Sequence, residues 1–157
     1  MKILKKTGLL LLLFLLILQF FGPKKNDGNL NSLSVFISET NPPENVHKIL
    51  KESCFDCHSN KTNYPWYNNI TPINYWLNSH VKDGKKHLNF SAWNNYSLKR
   101  KEHKMDELHE EVAKKKMPLN SYTWTHSDAN LTQEQINKIV TWGKKVQADY
   151  KKQLNSK

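Results

Sequence analysis

Cys54-Phe55-Asp56-Cys57-His58 is the stretch on which the reading of this chain turns. Haem carries two vinyl groups on adjacent edges of its ring. Two thiols three positions apart can each add to one vinyl and form thioethers. The histidine directly after the second thiol then lies beneath the iron and offers an axial nitrogen. The pattern is that of a c-type haem attachment site. Its context gives it weight, because Cys54 and Cys57 are the only cysteines in the 157 residues and an export-type segment precedes them. Two plainer readings compete. The cysteines can close as a disulfide or redox pair, or serve as half of a zinc site with two of the seven histidines. There is no second C-x-x-C and no βαβ pattern, so covalent haem is the expectation.

The N-terminus carries Lys2, Lys5 and Lys6, then an apolar run from Gly8 to Phe21 broken only by Gln19. A basic region before an apolar one is the plan of a signal peptide or signal anchor. The run is about 14 residues, roughly 21 Å as a helix, against a hydrocarbon core of roughly 30 Å. No A-x-A cleavage sequence and no lipobox cysteine follow, which favours an uncleaved anchor over residues 1–22. The expected location is the bacterial inner membrane with a periplasmic domain, or the periplasm if the segment is cleaved.

Net charge is +10. The lysines are spread along the expected helices instead of gathered beside aromatics or in a known module, so no nucleic-acid partner is expected. A lysine-rich surface suits an acidic redox partner or an anionic membrane surface. No catalytic triad, paired-carboxylate site or phosphate loop is visible, so an electron carrier or haem-binding protein is expected in preference to an enzyme.

The chain is expected to be all-α, a cytochrome c-like cluster of about four helices around one covalently attached haem. Residues 23–40 read as a polar tether, and the domain occupies residues 41–150. The first helix covers Glu44 to Ser53, with Val46, Ile49 and Leu50 on one face. A second starts at Thr71-Pro72, groups Ile73, Trp76, Leu77, His80 and Val81, and ends at Gly84. Lys86 to Trp93 reads as a loop. A third runs from about Ser97 to Lys115, with Leu98, Met105, Leu108 and Val112 inward, and Met117-Pro118 lies beyond its end. The last begins at Thr132, where Gln135 completes a capping box and Leu131 and Ile136 form a staple. Candidate haem neighbours are Trp66, Tyr67, Trp76, Phe90 and Trp93.

His58 supplies one iron ligand. Met117 is the leading candidate for the other, since thioether sulfur is a common partner of histidine in electron-transfer haem proteins. His87, in the loop with Phe90 and Trp93, is the alternative sixth ligand and would lower the potential. Met105 reads as core. His80 reads as a satisfied core histidine, His126 as a propionate contact, and His47, His103 and His109 as solvent-facing.

Further segments carry a resemblance. They are Asn41-Pro42-Pro43, Cys54 through Ser59-Asn60, Pro65-Trp66-Tyr67, and Gly84 to Trp93 with His87-Leu88-Asn89-Phe90-Ser91. Met117-Pro118, Tyr122, His126 and Leu131-Thr132 complete the set. From about Asn41 to Lys145 the chain resembles the bacterial haem-binding domain family of small exported proteins related to cytochromes c. The resemblance implies a helical mono-haem domain behind an N-terminal membrane segment, and no particular physiological reaction. Where that family commonly has an arginine before the histidine loop, this chain has Lys85 or Lys86, a point charge in place of a bidentate fork. The expected function is one-electron transfer through haem c iron. The alternative is a haem-based sensor or small-ligand binder with a displaceable sixth ligand.

Overall fold

The computed structural model describes residues 2–156. Their regular structure is helical, with eight α-helices, four short 3-10 helices, and an isolated bridge between Asp27 and Lys61. The α-helices are α1 Lys2–Leu18, α2 Ser34–Thr40, α3 Glu44–Ser53, α4 Phe55–His58, α5 Ile73–His87, α6 Leu98–Ala113, α7 Asn120–Thr123 and α8 Gln133–Asn155. The four helices expected from sequence are α3, α5, α6 and α8. The capping box of Thr132 and Gln135 at the start of α8 is formed on both sides.

Helix α1 corrects the expectation of an N-terminal membrane segment. It has 17 residues, roughly 26 Å of helix against a hydrocarbon core of roughly 30 Å. Among the described residues no helix is long and apolar enough to cross a membrane. The inner-membrane anchor, and the location drawn from it, therefore do not hold. The physical reason is the length of α1, and the chain just beyond it is tied down at Gln19. Its side chain accepts from the Thr71 amide at 2.9 Å and donates to the Thr71 carbonyl at 3.1 Å. The Thr71 hydroxyl donates to the Phe21 carbonyl at 3.0 Å. These bonds fasten the chain after α1 to the start of α5. They also engage the Thr71 hydroxyl, and Pro72 takes the N-cap position of α5.

The segment expected as a tether folds at its far end. A 3-10 turn over Leu30–Leu33 runs into α2, and Leu33, Phe36 and Thr40 are buried. Their spacing of i, i+3 and i+7 is one helical face. Phe36 is fully buried between Phe90 at 4.4 Å, Trp93 at 5.1 Å and Trp142 at 6.2 Å between ring centroids. The Trp142 indole donates to the Thr40 carbonyl at 3.1 Å, and that of Trp93 to the Tyr150 hydroxyl at 3.1 Å. Tyr150 passes the bond on to Glu39, which is also paired with Lys101 at 2.7 Å. Each buried polar tip thus has a partner, as buried tryptophan and tyrosine require.

Helices α6 and α8 lie against each other. A Cβ at Gly143 would stand 3.0 Å from the His109 Cβ, so a hydrogen there permits the close approach. His109 is buried in this seam, contrary to the expectation of a solvent-facing residue. Its Nε2 meets the Gln147 amide oxygen at 3.1 Å. Met105 is fully buried, as its place on the apolar face indicated. Phe36→Ala is expected to lower stability by about 3–5 kcal/mol, the usual cost of emptying a buried aromatic site. Urea unfolding monitored by tryptophan fluorescence checks this, and an unchanged midpoint would contradict the role given to α2.

Candidate functional site

Helix α3 ends where Cys54 leaves helical geometry, and α4 adds a single further turn. The His58 amide bonds the Cys54 carbonyl at 3.0 Å. Phe55 is the buried anchor of this turn and packs on Phe90 at 5.5 Å. Cys54 and Cys57, three apart, are free thiols with part of each residue still meeting solvent. Burial among apolar neighbours pushes Cys54 up to about 12, with the Cys57 sulfur adding to it. Cys57 rises to about 11, again through burial first and then the Asp56 charge. Both are thiols, not thiolates, at neutral pH, and slow to oxidise.

Helix α5 passes directly over this turn. A Cβ at Gly84 would meet the Cys57 carbonyl oxygen at 2.7 Å. Gly84 is therefore not the helix terminator expected from sequence, but the point of closest approach between α5 and α4. Because α5 continues to His87, the Leu88 carbonyl arrives beside His58 and lies 2.9 Å from Nδ1. A carbonyl can only accept, so Nδ1 carries the proton and Nε2 keeps its lone pair. Burial holds the ring below the usual imidazole range, against the opposing effect of the Leu88 and Gly84 backbone, and so favours the neutral form.

Short polar side chains hold the turn after the histidine. The buried Ser59 hydroxyl donates to the Lys61 carbonyl at 2.9 Å. The Asn60 amide donates to the Ser91 hydroxyl at 3.0 Å, and the Asn89 amide group to the Asn60 side-chain oxygen at 3.1 Å. Asn26 bonds the Ser59 carbonyl and the Thr62 hydroxyl, both at 2.9 Å, and accepts from Lys85 at 2.7 Å. Lys85 is thus a structural donor to Asn26. Burial lowers its pKa. Asn26 escaped the sequence reading altogether, because a lone asparagine in a polar stretch carries no signal of its partners.

Asp56, between the two thiols, is bound from three sides. Asn63 donates its amide to Oδ1 at 2.9 Å, Tyr122 its hydroxyl to Oδ2 at 2.8 Å, and Thr62 its hydroxyl to the backbone carbonyl at 2.6 Å. Burial, the Asp56 charge and the bond to it raise the Tyr122 pKa, so the phenol stays a donor. His126 stacks on Tyr122 with ring centroids 4.1 Å apart. Tyr67 donates to the Thr125 hydroxyl at 2.7 Å.

The remaining candidates fall into groups. Met117 is half-buried and packs against the hydrophobic core. It follows a left-handed Lys115, at φ 54°, where α6 ends in a Schellman pair of bonds from Lys115 to Val112 and from Lys116 to Glu111. His87 is exposed in the last turn of α5 instead of in a loop. Phe90 and Trp93 belong to the core, whereas Trp66 is 75% and Trp76 45% exposed. His80 lies edge-on to Trp76 at 4.4 Å. His103 and His109 stand at H-x5-H spacing, but one is exposed and the other faces Gln147. Among the described residues no group of three or more His, Cys, Asp and Glu converges to hold a bare metal ion, so zinc has no ligand set there.

Two thiols and a neutral imidazole with a free Nε2 are a donor set that fits haem. The comparison with protein families agrees. The model of the haem-binding domain matches residues 13–145. The chain belongs to the haem-binding domain family, and haem is its cofactor. Comparison with curated proteins and with solved structures returned no match.

Gly84→Ala is expected to force α5 and α4 apart, since the new methyl has backbone in its way and not a flexible side chain. Haem content after expression should fall several-fold, and the melting temperature with it. A fully loaded protein with an unshifted melting temperature would refute the close-approach argument.

Proposed function

We propose that the chain binds one haem covalently, through thioethers from Cys54 and Cys57, and passes single electrons. Haem, when bound, supplies an iron that alternates between its ferric and ferrous states. The observation that carries the reading is the Nδ1 bond of His58 to the Leu88 carbonyl, 2.9 Å long. It fixes the tautomer and raises the basicity of the ligand nitrogen, as outer partners of metal-bound histidines do.

The same bond bears on the sixth ligand. Leu88 stands on the Nδ1 side of the imidazole, and His87 is its chain neighbour. A second ligand would have to come from another part of the chain. His87 is exposed in the last turn of α5, whereas Met117 is half-buried against the core, which favours Met117. A thioether ligand raises the potential, and an iron with both axial places filled changes little between oxidation states. Exposed lysines on a chain of net charge +10 suit an acidic redox partner.

The experiment is expression with a cytochrome c maturation system, followed by a denaturing gel stained for haem and by spectra of both oxidation states with and without carbon monoxide. Stain that survives denaturation, and a reduced protein that resists carbon monoxide, are the expected results. Met117→Ala should make the iron accessible to carbon monoxide, and His58→Ala should abolish the low-spin spectrum. An unstained band would overturn covalent attachment. Ready carbon monoxide binding by the unaltered protein would overturn Met117 ligation and favour a ligand-binding haem.

A further inference from the structure

The segment that follows Met117 has little apolar packing to fix it. Helix α7, Asn120–Thr123, contributes no buried residue. Leu119 is 37% and Trp124 81% exposed. Side-chain hydrogen bonds hold it instead. Tyr122 reaches the Asp56 carboxylate at 2.8 Å and, more loosely, the Glu52 carbonyl at 3.4 Å. Thr125 receives the Tyr67 hydroxyl at 2.7 Å. The flat stack of His126 on Tyr122 stiffens the segment internally. Asp56 is itself held, because Asn63 and Thr62 bind its other oxygens and Asn26 bonds Thr62 in turn.

We propose that Asp56 and Tyr122 are a positioning pair that sets where the Met117 sulfur stands relative to the haem. This rests on the reading of Met117 as sixth ligand. The spacer residue between the two thiols then serves both axial sides. Its backbone belongs to the turn that presents His58, and its carboxylate holds the loop that presents Met117. An ordinary surface hydrogen bond would do neither. Here the acceptor lies inside the attachment motif and the donor lies five residues after the ligand. A bond from a neutral donor to a carboxylate supports roughly a tenfold shift in how often the loop is in place.

Tyr122→Phe tests the pair, since it removes the hydroxyl and keeps the ring that stacks on His126. In the haem-loaded protein, carbon monoxide should bind the ferrous form about tenfold faster than in the unaltered protein, in keeping with the loss of one such bond. Hydrogen–deuterium exchange should rise across residues 117–126 and stay unchanged in α8. In a Met117→Ala background the same change should add nothing, which places its effect in the ligand and not in general loosening. If Tyr122→Phe does not accumulate as folded protein, Asp56→Asn provides the test, with a smaller shift in the same direction. Should Met117→Ala open the iron while Tyr122→Phe and Asp56→Asn bind carbon monoxide as the unaltered protein does, the positioning role is wrong and the ligand reading stands. Should Met117→Ala itself change nothing, the ligand reading fails and takes the pair with it.

Discussion

One hydrogen bond, from His58 Nδ1 to the carbonyl of Leu88, sets the terms for its surroundings. It is available only because α5 runs on to His87 and then leaves the helix at Leu88 in extended geometry. That path in turn requires α5 to lie against the α4 turn, which Gly84 alone among side chains permits without displacing backbone. Phe90, two residues after the acceptor, is anchored in the core against Phe36 and Phe55. The position of the acceptor is therefore fixed by apolar packing on one side and by helix contact on the other. An imidazole held in this way has one proton position and one free lone pair, whatever it binds.

Around that bond the material changes from apolar to short polar side chains. Asn26, Ser59, Asn89 and Ser91 satisfy backbone groups that no helix or sheet ladder reaches, and the Asn60 side chain accepts from that of Asn89. A loop buried against the protein needs such partners, since an unpaired amide or carbonyl away from water is expensive. Bonds to neighbouring backbone suit these residue types. They hold two segments, 59–62 and 89–91, together at hydrogen-bond distance. The rigidity of the region is thus built from many directional bonds of modest strength, in contrast to the aromatic core below it.

Much of the architecture was legible in the sequence. Four long helices, the inward faces of α3 and α6 and the capping box at Thr132 follow from periodicity and cap chemistry, which act over a few neighbouring residues. So does the buried place of Met105. Of the face expected on α5, by contrast, only Val81 is buried. What escaped depends on contacts far apart along the chain. Gly84 reads as a helix end by local rules, and only the presence of Cys57 above it shows otherwise. His109 looks exposed until α8 is laid against α6. Phe36 sits in a polar stretch, and the tether reading weighed composition above the three-residue face of Leu33, Phe36 and Thr40. For α1 the apolar composition was plain, but the contact of Gln19, just past its end, with Thr71 lies fifty-two positions on and left no local signal. At the site, C-x-x-C-H announced the turn that carries both thiols and His58, whereas the carbonyl that orients this histidine belongs to Leu88, whose side chain offers no hint of the role.

The docking of α2 has a consequence for timing. Trp142 and Thr40 are 102 residues apart in sequence, and Tyr150 and Glu39 are 111 apart. Phe36 is made early and waits for Trp142, which is made near the end. Contacts of such long range close late, because the loop between them must be ordered first. During synthesis the turn bearing both cysteines therefore exists for some time before α8 arrives to complete the core beneath it. In that interval Phe36 and the Thr40 carbonyl lack the Trp142 cover that later buries them. The order in which this chain is made leaves the α2 side of the core open until its last helix arrives.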